Sequence, residues 1–389
     1  MSYQTDDFSF PAVRTAIEFG LGAVSRLPEI LVKLGVKRPL IVSDPGVEKA
    51  GVVRVVLKTL ESAGLVATVF AEVPQDSSVG IVDKAVALLQ RERCDGVIGI
   101  GGGSSLDTGK CVAIRATDER PLLELAGLGK VDQEPLPLVA IPTTAGTGSE
   151  VSYWAVTRDD DTSTKFSVGG ELVFPRVALC DPELTVGLPP MLTATTGMDA
   201  LTHAIESYTN RSHQPISEAL TLQAVEHAAH HIVSATSDGS NTDARYGMML
   251  ASMLAGLGMN PTRLGIVHAL AMPFGSGTLR IAHGAANAVM LPHVMEFNLS
   301  AAPRKYAQVA RAMGVEGEFR DDLQLARAGL ERLREIIGSL GIATTMGELG
   351  LTRDHVPGVC EEAMKSGNIA ANPREITRSE LEELCYRAL

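Results

Sequence analysis

Five short apolar runs in the first half of the chain each stop at glycine, aspartate, proline or threonine: residues 39–44 (PLIVSD), 66–73 (VATVFAEV), 95–103 (DGVIGIGGG), 136–144 (LPLVAIPTT) and 176–182 (RVALCDP). Between several of them lie helical patterns, as over 81–91, where Ile81, Val82, Ala85 and Leu88 recur at helical spacing. Few folds accept this alternation. It predicts a mostly parallel sheet with helices on both faces. The runs are continuously apolar, as strands buried on both sides must be. The texture changes at Leu188-Pro189-Pro190. Beyond it, helical periodicity runs through 191–210, 215–237, 243–258 and 322–340 with almost no strand signal. The expected architecture is an α/β domain over 1–187 followed by an all-helical domain over 188–389. A length of 389 residues agrees, because single cores seldom grow beyond about 250–300 residues.

The formal net charge is −12 and no cluster of Lys and Arg stands out, which argues against a nucleic acid partner. A small anionic cofactor stays open, since backbone N–H groups bind phosphate without net positive charge. The five cysteines are scattered and form no CxxC pair, as expected in a reducing cytoplasm. The polar, acidic start of the chain does not read as a signal peptide. The most apolar long run, Met248 to Met259, is shorter than the ~20 residues of a membrane span and reads as a buried helix.

Two glycine-rich loops follow consecutive strand signals. In the first, Gly101, Gly102, Gly103 and Ser104 lead from a strand into an apparent helix from Leu106 to Ala113. Such a turn lets a ligand approach the backbone and offers free N–H groups to a phosphate. Its spelling departs from GxGxxG at Ser104, and a tight turn without a ligand explains it equally well. The second, Thr143-Thr144-Ala145-Gly146-Thr147-Gly148-Ser149-Glu150, suits the ligand crevice of an open α/β sheet. Taken alone it also reads as the cap of a helix near Ser149. Asp44 ends another strand, where a carboxylate accepts ribose hydroxyls and repels a 2′-phosphate. By itself it is more simply a turn residue before Pro45-Gly46.

Asp199 and His203 stand at i and i+4 beside an apolar helical stripe, so one helix face offers a carboxylate oxygen and an imidazole nitrogen. His268 and His283 lie in apolar, small-residue surroundings and would complete a site of one oxygen and three nitrogens for a divalent cation. An Asp–His hydrogen bond and two core histidines are the plainer account of the same residues. His213, His227, His230, His231 and His355 read as solvated, and His293 as ambiguous. The chain lacks a Gly-x-Ser-x-Gly elbow, a GxxxxGK[ST] loop and an HExxH helix.

Together the segments GGGSSLD, IPTTAGTGSEV, DPELT, GMDALTHAIESY, GIVHALAMP, HGAANAVMLPHVMEFN and NPREIT run through nearly the whole length. In these segments the chain resembles the iron-containing (type III) alcohol dehydrogenase family. The resemblance implies a dinucleotide-binding α/β domain, a helical domain and an active site between them. It implies that Gly101 to Ser104 cradle a pyrophosphate, with Asp107 near the nicotinamide. It also implies that Thr143, Thr144, Thr147 and Lys165 line the cofactor, although Lys165 read alone is an exposed strand lysine. Asp199, His203, His268 and His283 match the family's metal ligands. The implied reaction is hydride transfer between NAD(H), preferred over NADP(H) because of Asp44, and a small alcohol or aldehyde. The cation would be Fe2+ or Zn2+, and the protein a homodimer or larger homo-oligomer. Two alternatives stand beside this: a hydroxyacid–oxoacid transhydrogenase, and a metal- and nucleotide-binding protein without catalysis. One departure stands out. Four residues after His268 the family commonly has a second histidine, and here Met272 takes its place in the substrate pocket. Arg280, between His268 and His283, either enters the site or stays in solvent, and the second is favoured.

Overall fold

The computed structural model describes residues 8–276 and 279–389. Nine strands are found in it: β1 Ala16–Phe19, β2 Pro39–Val42, β3 Thr68–Phe70, β4 Gly96–Gly101, β5 Gly127–Leu128, β6 Leu138–Pro142, β7 Trp154–Arg158, β8 Lys165–Gly169 and β9 Val177–Cys180. Six form a parallel sheet in the order β1-β9-β6-β4-β2-β3. Successive side chains on a strand point to opposite faces, and each face has its own core. Ile41, Ile98, Ile100 and Val139 pack with Leu27, Val53, Val56 and Leu60 on one side. Leu40, Val42, Val97 and Leu138 pack with Val82, Val86 and Leu89 on the other. The helix Val52–Ser62 shows why it forms there: its buried residues Val53, Val56 and Leu60 repeat at i, i+3 and i+7.

Chain direction across the sheet reverses between β2 and β4. The loops that leave their carboxyl ends therefore diverge and open a crevice. All five strand runs read from the sequence lie in this sheet. The edge strand β1 was not among them: it is short and half exposed, so it carries no apolar run. A second sheet, β5-β8-β7, is mixed. Its hairpin pairs Arg158 with Lys165 and fits the Trp154 ring over Gly169, where a Cβ would strike the indole.

From Pro190 onward the chain is helical. The helices Pro190–Thr209, Pro215–Ser237 and Thr242–Met259 pack through small residues, with Gly197 under Ile232 and Met248. The helical core also takes in Ala145, Val151, Ala178 and Cys180 from the sheet side, so the two parts share a packed seam. At that seam Gly148, with φ of +60°, lies so close to Gly256 that a Cβ on either would overlap the other's backbone. Among the described residues no helix is long and apolar enough to cross a membrane.

Two charged side chains are buried near the seam. Lys110 Nζ donates to the carbonyls of Ser152 (3.0 Å) and Trp154 (2.6 Å). Glu150, 2% exposed, sits in the Ser149–Val151 turn, where burial pushes its carboxyl up to about 7 despite the nearby Lys110. An acid raised in the folded state holds its proton after the unfolded chain has lost it. Folding stability therefore falls as pH rises from about 4.5 to 7. Relative to wild type, Glu150→Gln should gain stability across that window, by on the order of 1–3 kcal/mol at pH 8 and little at pH 4. Denaturant melts at several pH values measure this, and a difference independent of pH would refute it.

Candidate active site

The helix Pro190–Thr209 is buried along most of its length and carries Asp199, His203 and Glu206 on one face. These residues are 3%, 6% and 6% exposed, so each must find partners inside the protein. His268 lies in the first turn of the helix Ile266–Phe274, and His283 opens the helix His283–Asn298. Ligand atoms of Asp199, His268 and His283 lie within 4.8 Å of one another. His268 Nε2 and His283 Nε2 are each 3.5 Å from Asp199 Oδ1. His203 stands slightly apart from this triad. Its Nε2 is 3.9 Å from Asp199 Oδ1, and its ring stacks on that of His268 at 4.5 Å.

Hydrogen bonds fix which ring nitrogens face the centre. His268 Nδ1 donates to Glu206 Oε2 at 2.6 Å, and His203 Nδ1 donates to the Gly146 carbonyl at 3.3 Å. Each leaves Nε2 as the inward donor atom, the arrangement that orients metal-binding imidazoles. Glu206 is itself held by the backbone N–H groups of Gly265 and Val267, at 2.9 and 2.8 Å. Asn287 Nδ2 bridges Asp199 Oδ1 (2.7 Å) and His268 Nε2 (3.2 Å). Burial alone would raise the Asp199 carboxyl, but His203, His283 and His268 around it hold it well below the usual carboxylate range. Desolvation pulls His283 down to about 4 and also lowers His203, so both offer lone pairs at neutral pH. Desolvation works against His268 as well, yet its bonds to Asp199 and Glu206 push it up to about 9. The Asp199 carboxylate, the neutral imidazoles of His203 and His283, and His268 once a cation displaces its Nε2 proton are a fitting donor set for Fe2+ or Zn2+.

A cleft of about 480 Å³ joins this cluster to the sheet's crevice. Gly103, Ser104, Asp107, Thr147 and Lys165 line it, as do Asp199, His203, His268, His283 and Met272. The helix Gly103–Arg115 starts at the end of β4, and its first residues Gly103 and Ser104 line the cleft. Gly101 has φ of +147°, and a Cβ there would overlap Ser105. Gly102 and Gly103 face Thr144 and Thr147, so the two loops pack into each other. Thr143 is buried behind them, its N–H bonded to Gly101. Asp107 takes Ser149 Oγ at 2.6 Å and Val156 N at 3.0 Å, tying helix, loop and hairpin together. Asp44 stands beside Gly101. Its Oδ1 caps Val47 N and its Oδ2 accepts from Ser105 Oγ at 2.9 Å. Lys165 is no exposed strand lysine: its Nζ meets Asp76 Oδ1 at 2.6 Å, and its side chain is 14% exposed. Arg280 is exposed. His213 pairs with Glu218 at 2.7 Å. His227 and His231 are half-buried and stacked on each other rather than solvated, because His231 packs over Gly247.

The family model described as "Iron-containing alcohol dehydrogenase" matches residues 14–182, and that described as "Fe-containing alcohol dehydrogenase family, C-terminal" matches 193–389. The chain belongs to the iron-containing alcohol dehydrogenase family. It is 40% identical over 367 residues to a choline dehydrogenase of Bacillus subtilis (strain 168), covering 94% of this chain and 91% of that one. It is 37% identical to a 1,3-propanediol dehydrogenase of Klebsiella pneumoniae over the full length of both. A solved 1,3-propanediol oxidoreductase superposes with a TM-score of 0.96 at 36% identity, covering 99% of this chain and 100% of the other. As a member of this family, the chain is an oxidoreductase of alcohols and aldehydes.

Sequence reasoning missed Glu206, Asn287 and Asp76 in this iron-containing alcohol dehydrogenase. Glu206 had a readable signal: it follows Asp199 and His203 at i+7 and i+3, an acid on the same helix face. Replacing it by glutamine keeps the shape but weakens its hold on the imidazole N–H. Glu206→Gln should loosen divalent metal binding by roughly 10- to 100-fold with the circular dichroism spectrum unchanged. His268→Ala and His283→Ala should lose the metal, whereas His293→Ala should keep it. Metal content after dialysis against a graded chelator reads all four. Full occupancy in both His268→Ala and His283→Ala would sink the ligand assignment.

Proposed function

We propose that this enzyme transfers a hydride between NAD(H) and a small alcohol or aldehyde, over one divalent cation held by Asp199, His203, His268 and His283. The observation that carries the reading is the convergence of Asp199, His268 and His283 in the cleft that Gly103, Ser104 and Thr147 also line. When bound, the cation supplies Lewis acidity at the substrate oxygen and the dinucleotide supplies the hydride acceptor. Iron(II) accords with the family, and zinc suits the same donors.

The chain's own residues do the rest. Glu206 and the Gly146 carbonyl hold two imidazoles in one tautomer. Gly101 to Ser104 offer backbone N–H groups to the pyrophosphate, and Thr143, Thr144 and Thr147 shape the loop against them. Asp107 braces the nicotinamide end, and Lys165, paired with Asp76, supplies a cation to the same wall. In oxidation the substrate carbon loses a hydride to the nicotinamide and its hydroxyl loses a proton to water. Reduction reverses both. Met272, one turn after His268, gives the cleft an apolar wall and no proton carrier. The proton therefore travels through water, a ribose hydroxyl or the substrate. All five cysteines are free and buried, which supports a reducing, cytoplasmic setting. The open edge at β1, with Ile17 exposed, supports pairing with a second copy.

Two measurements test this reading. NADH should give a higher kcat/KM than NADPH, and Asp44→Gly should narrow the gap, at a cost of only a few tenths of a kcal/mol as a helix cap. A wild-type preference for NADPH contradicts the role given to Asp44. Met272→His should change the pH–rate profile and the ranking of aldehydes while metal content stays constant. If neither Met272→His nor Met272→Ala moves kcat/KM for any aldehyde, Met272 is packing alone.

A further inference from the structure

The cations that line the cleft are unequally paired. Lys165 is neutralised by Asp76. Arg158 lies opposite Lys165 in the hairpin on the dinucleotide side; its backbone N–H donates to the Ser77 carbonyl, while its guanidinium Nε is buried with no hydrogen-bond partner among the described residues. Arg263 lines the cleft on the helical side, together with Met259, Leu264, Met272, Ser366 and Asn368. Among the described residues its guanidinium makes no ion pair and no hydrogen bond, and only its backbone carbonyl is engaged, accepting from Thr262 Oγ1 at 2.9 Å. A chain of net charge −12 thus keeps an uncommitted guanidinium at the rim of its reaction cleft.

The Arg263 side chain is exposed at the rim, and what is built in is its backbone. Arg263 has φ of +63°, a left-handed conformation that costs a non-glycine residue on the order of 1 kcal/mol and persists only where neighbours over-determine it. They do so here. Asn260 Nδ2 donates to the Val151 carbonyl, and Tyr153 Oη donates to the Asn260 carbonyl. Asn210 Nδ2 donates to the Leu264 carbonyl at 3.0 Å. Gly367 leaves the space the guanidinium occupies, since a Cβ there would collide with Arg263 Nη1. Met259, Leu264 and Met272 give the same cleft an apolar lining. A cation, an apolar stretch and a metal-type cluster in one cleft match a substrate with an anion at one end and a reacting carbon at the other.

We propose that the substrate is an alcohol or aldehyde bearing a carboxylate or sulfonate away from the reacting carbon, and that Arg263 binds this oxyanion. The inference rests on hydride transfer taking place in this cleft. A guanidinium grips such groups with two parallel hydrogen bonds and repels a quaternary ammonium. The redox step is unchanged: in reduction NADH gives a hydride to the carbonyl carbon and solvent gives a proton to its oxygen.

The test is initial-rate reduction by metal-loaded enzyme with NADH. Substrates are ω-oxo carboxylates of increasing length, their sulfonate counterparts, neutral aldehydes of matched length, and betaine aldehyde as the cationic member. Wild type should favour the anionic member of at least one matched pair by about tenfold or more in kcat/KM, and should rank betaine aldehyde last. Comparing the two acid series tells carboxylate from sulfonate. In Arg263→Gln the anionic-to-neutral ratio should fall roughly 10- to 100-fold, mostly through KM, the scale of a charged hydrogen bond. Arg263→Lys should retain part of it. The ratio is internal to each protein, so partial misfolding does not alter it. A wild-type ratio near one, or a ratio unchanged in Arg263→Gln, overturns the proposal while leaving hydride transfer standing. Turnover of none of these aldehydes overturns both.

Discussion

A carboxylate in an apolar helix has to be compensated, and the helical half of this protein is arranged around that requirement at Asp199. Three imidazoles come to it from three helices, and the amide of Asn287 comes from a turn beyond one of them. Each imidazole then needs its own support. Glu206 and the Gly146 carbonyl provide it for two, and Glu206 is answered by two backbone N–H groups at the start of the His268 helix. The chain of compensation ends in main-chain groups, which cannot titrate. Removing one member leaves the next with an unanswered charge or hydrogen bond in a low-dielectric interior.

The fold was legible because burial on both faces forces continuous apolar runs, and burial on one face of a helix forces a repeat. The sheet strands over 39–42, 96–101, 138–142 and 177–180 and the long helices after Pro190 carry those patterns without interruption. Strand β1 and the two-residue β5 do not, because an edge or a very short strand buries too little to mark the sequence. At the site, Asp199 and His203 could be read from helical spacing and the glycine loops from the conformations they permit. The supporting residues were harder. Asn287 acts across the space between helices, and Asp76 lies in a loop, where spacing carries no direction. Arg263 illustrates the limit best. Arg280, between His268 and His283, was expected in solvent and is exposed, whereas Arg263, in the turn before His268, lines the cleft with no sequence pattern to mark it.

The glycines of the two loops serve two ends. Gly101, Gly102 and Gly103 let Ser105, Thr144 and Thr147 close in behind them, and in the proposed function the same turn would take a ligand's phosphates at a helix start. Asp44 likewise caps a short helix and accepts a serine hydroxyl while keeping its charge beside the turn. Sequence reading treats the packing role and the binding role of such residues as rivals. In the folded protein the packing fixes the groups that would bind.

The contact between Gly148 and Gly256 has a mechanical consequence. It joins the loop that presents Thr147 and Ser149 to the helix that ends at Met259, with no side chain between the two backbones. Such a seam has nothing compressible in it, so the sheet and the helices cannot slide past each other there. They can only turn about it, as about a fulcrum. Movement of one part against the other would then be least next to the seam and greatest at the far rim of the cleft.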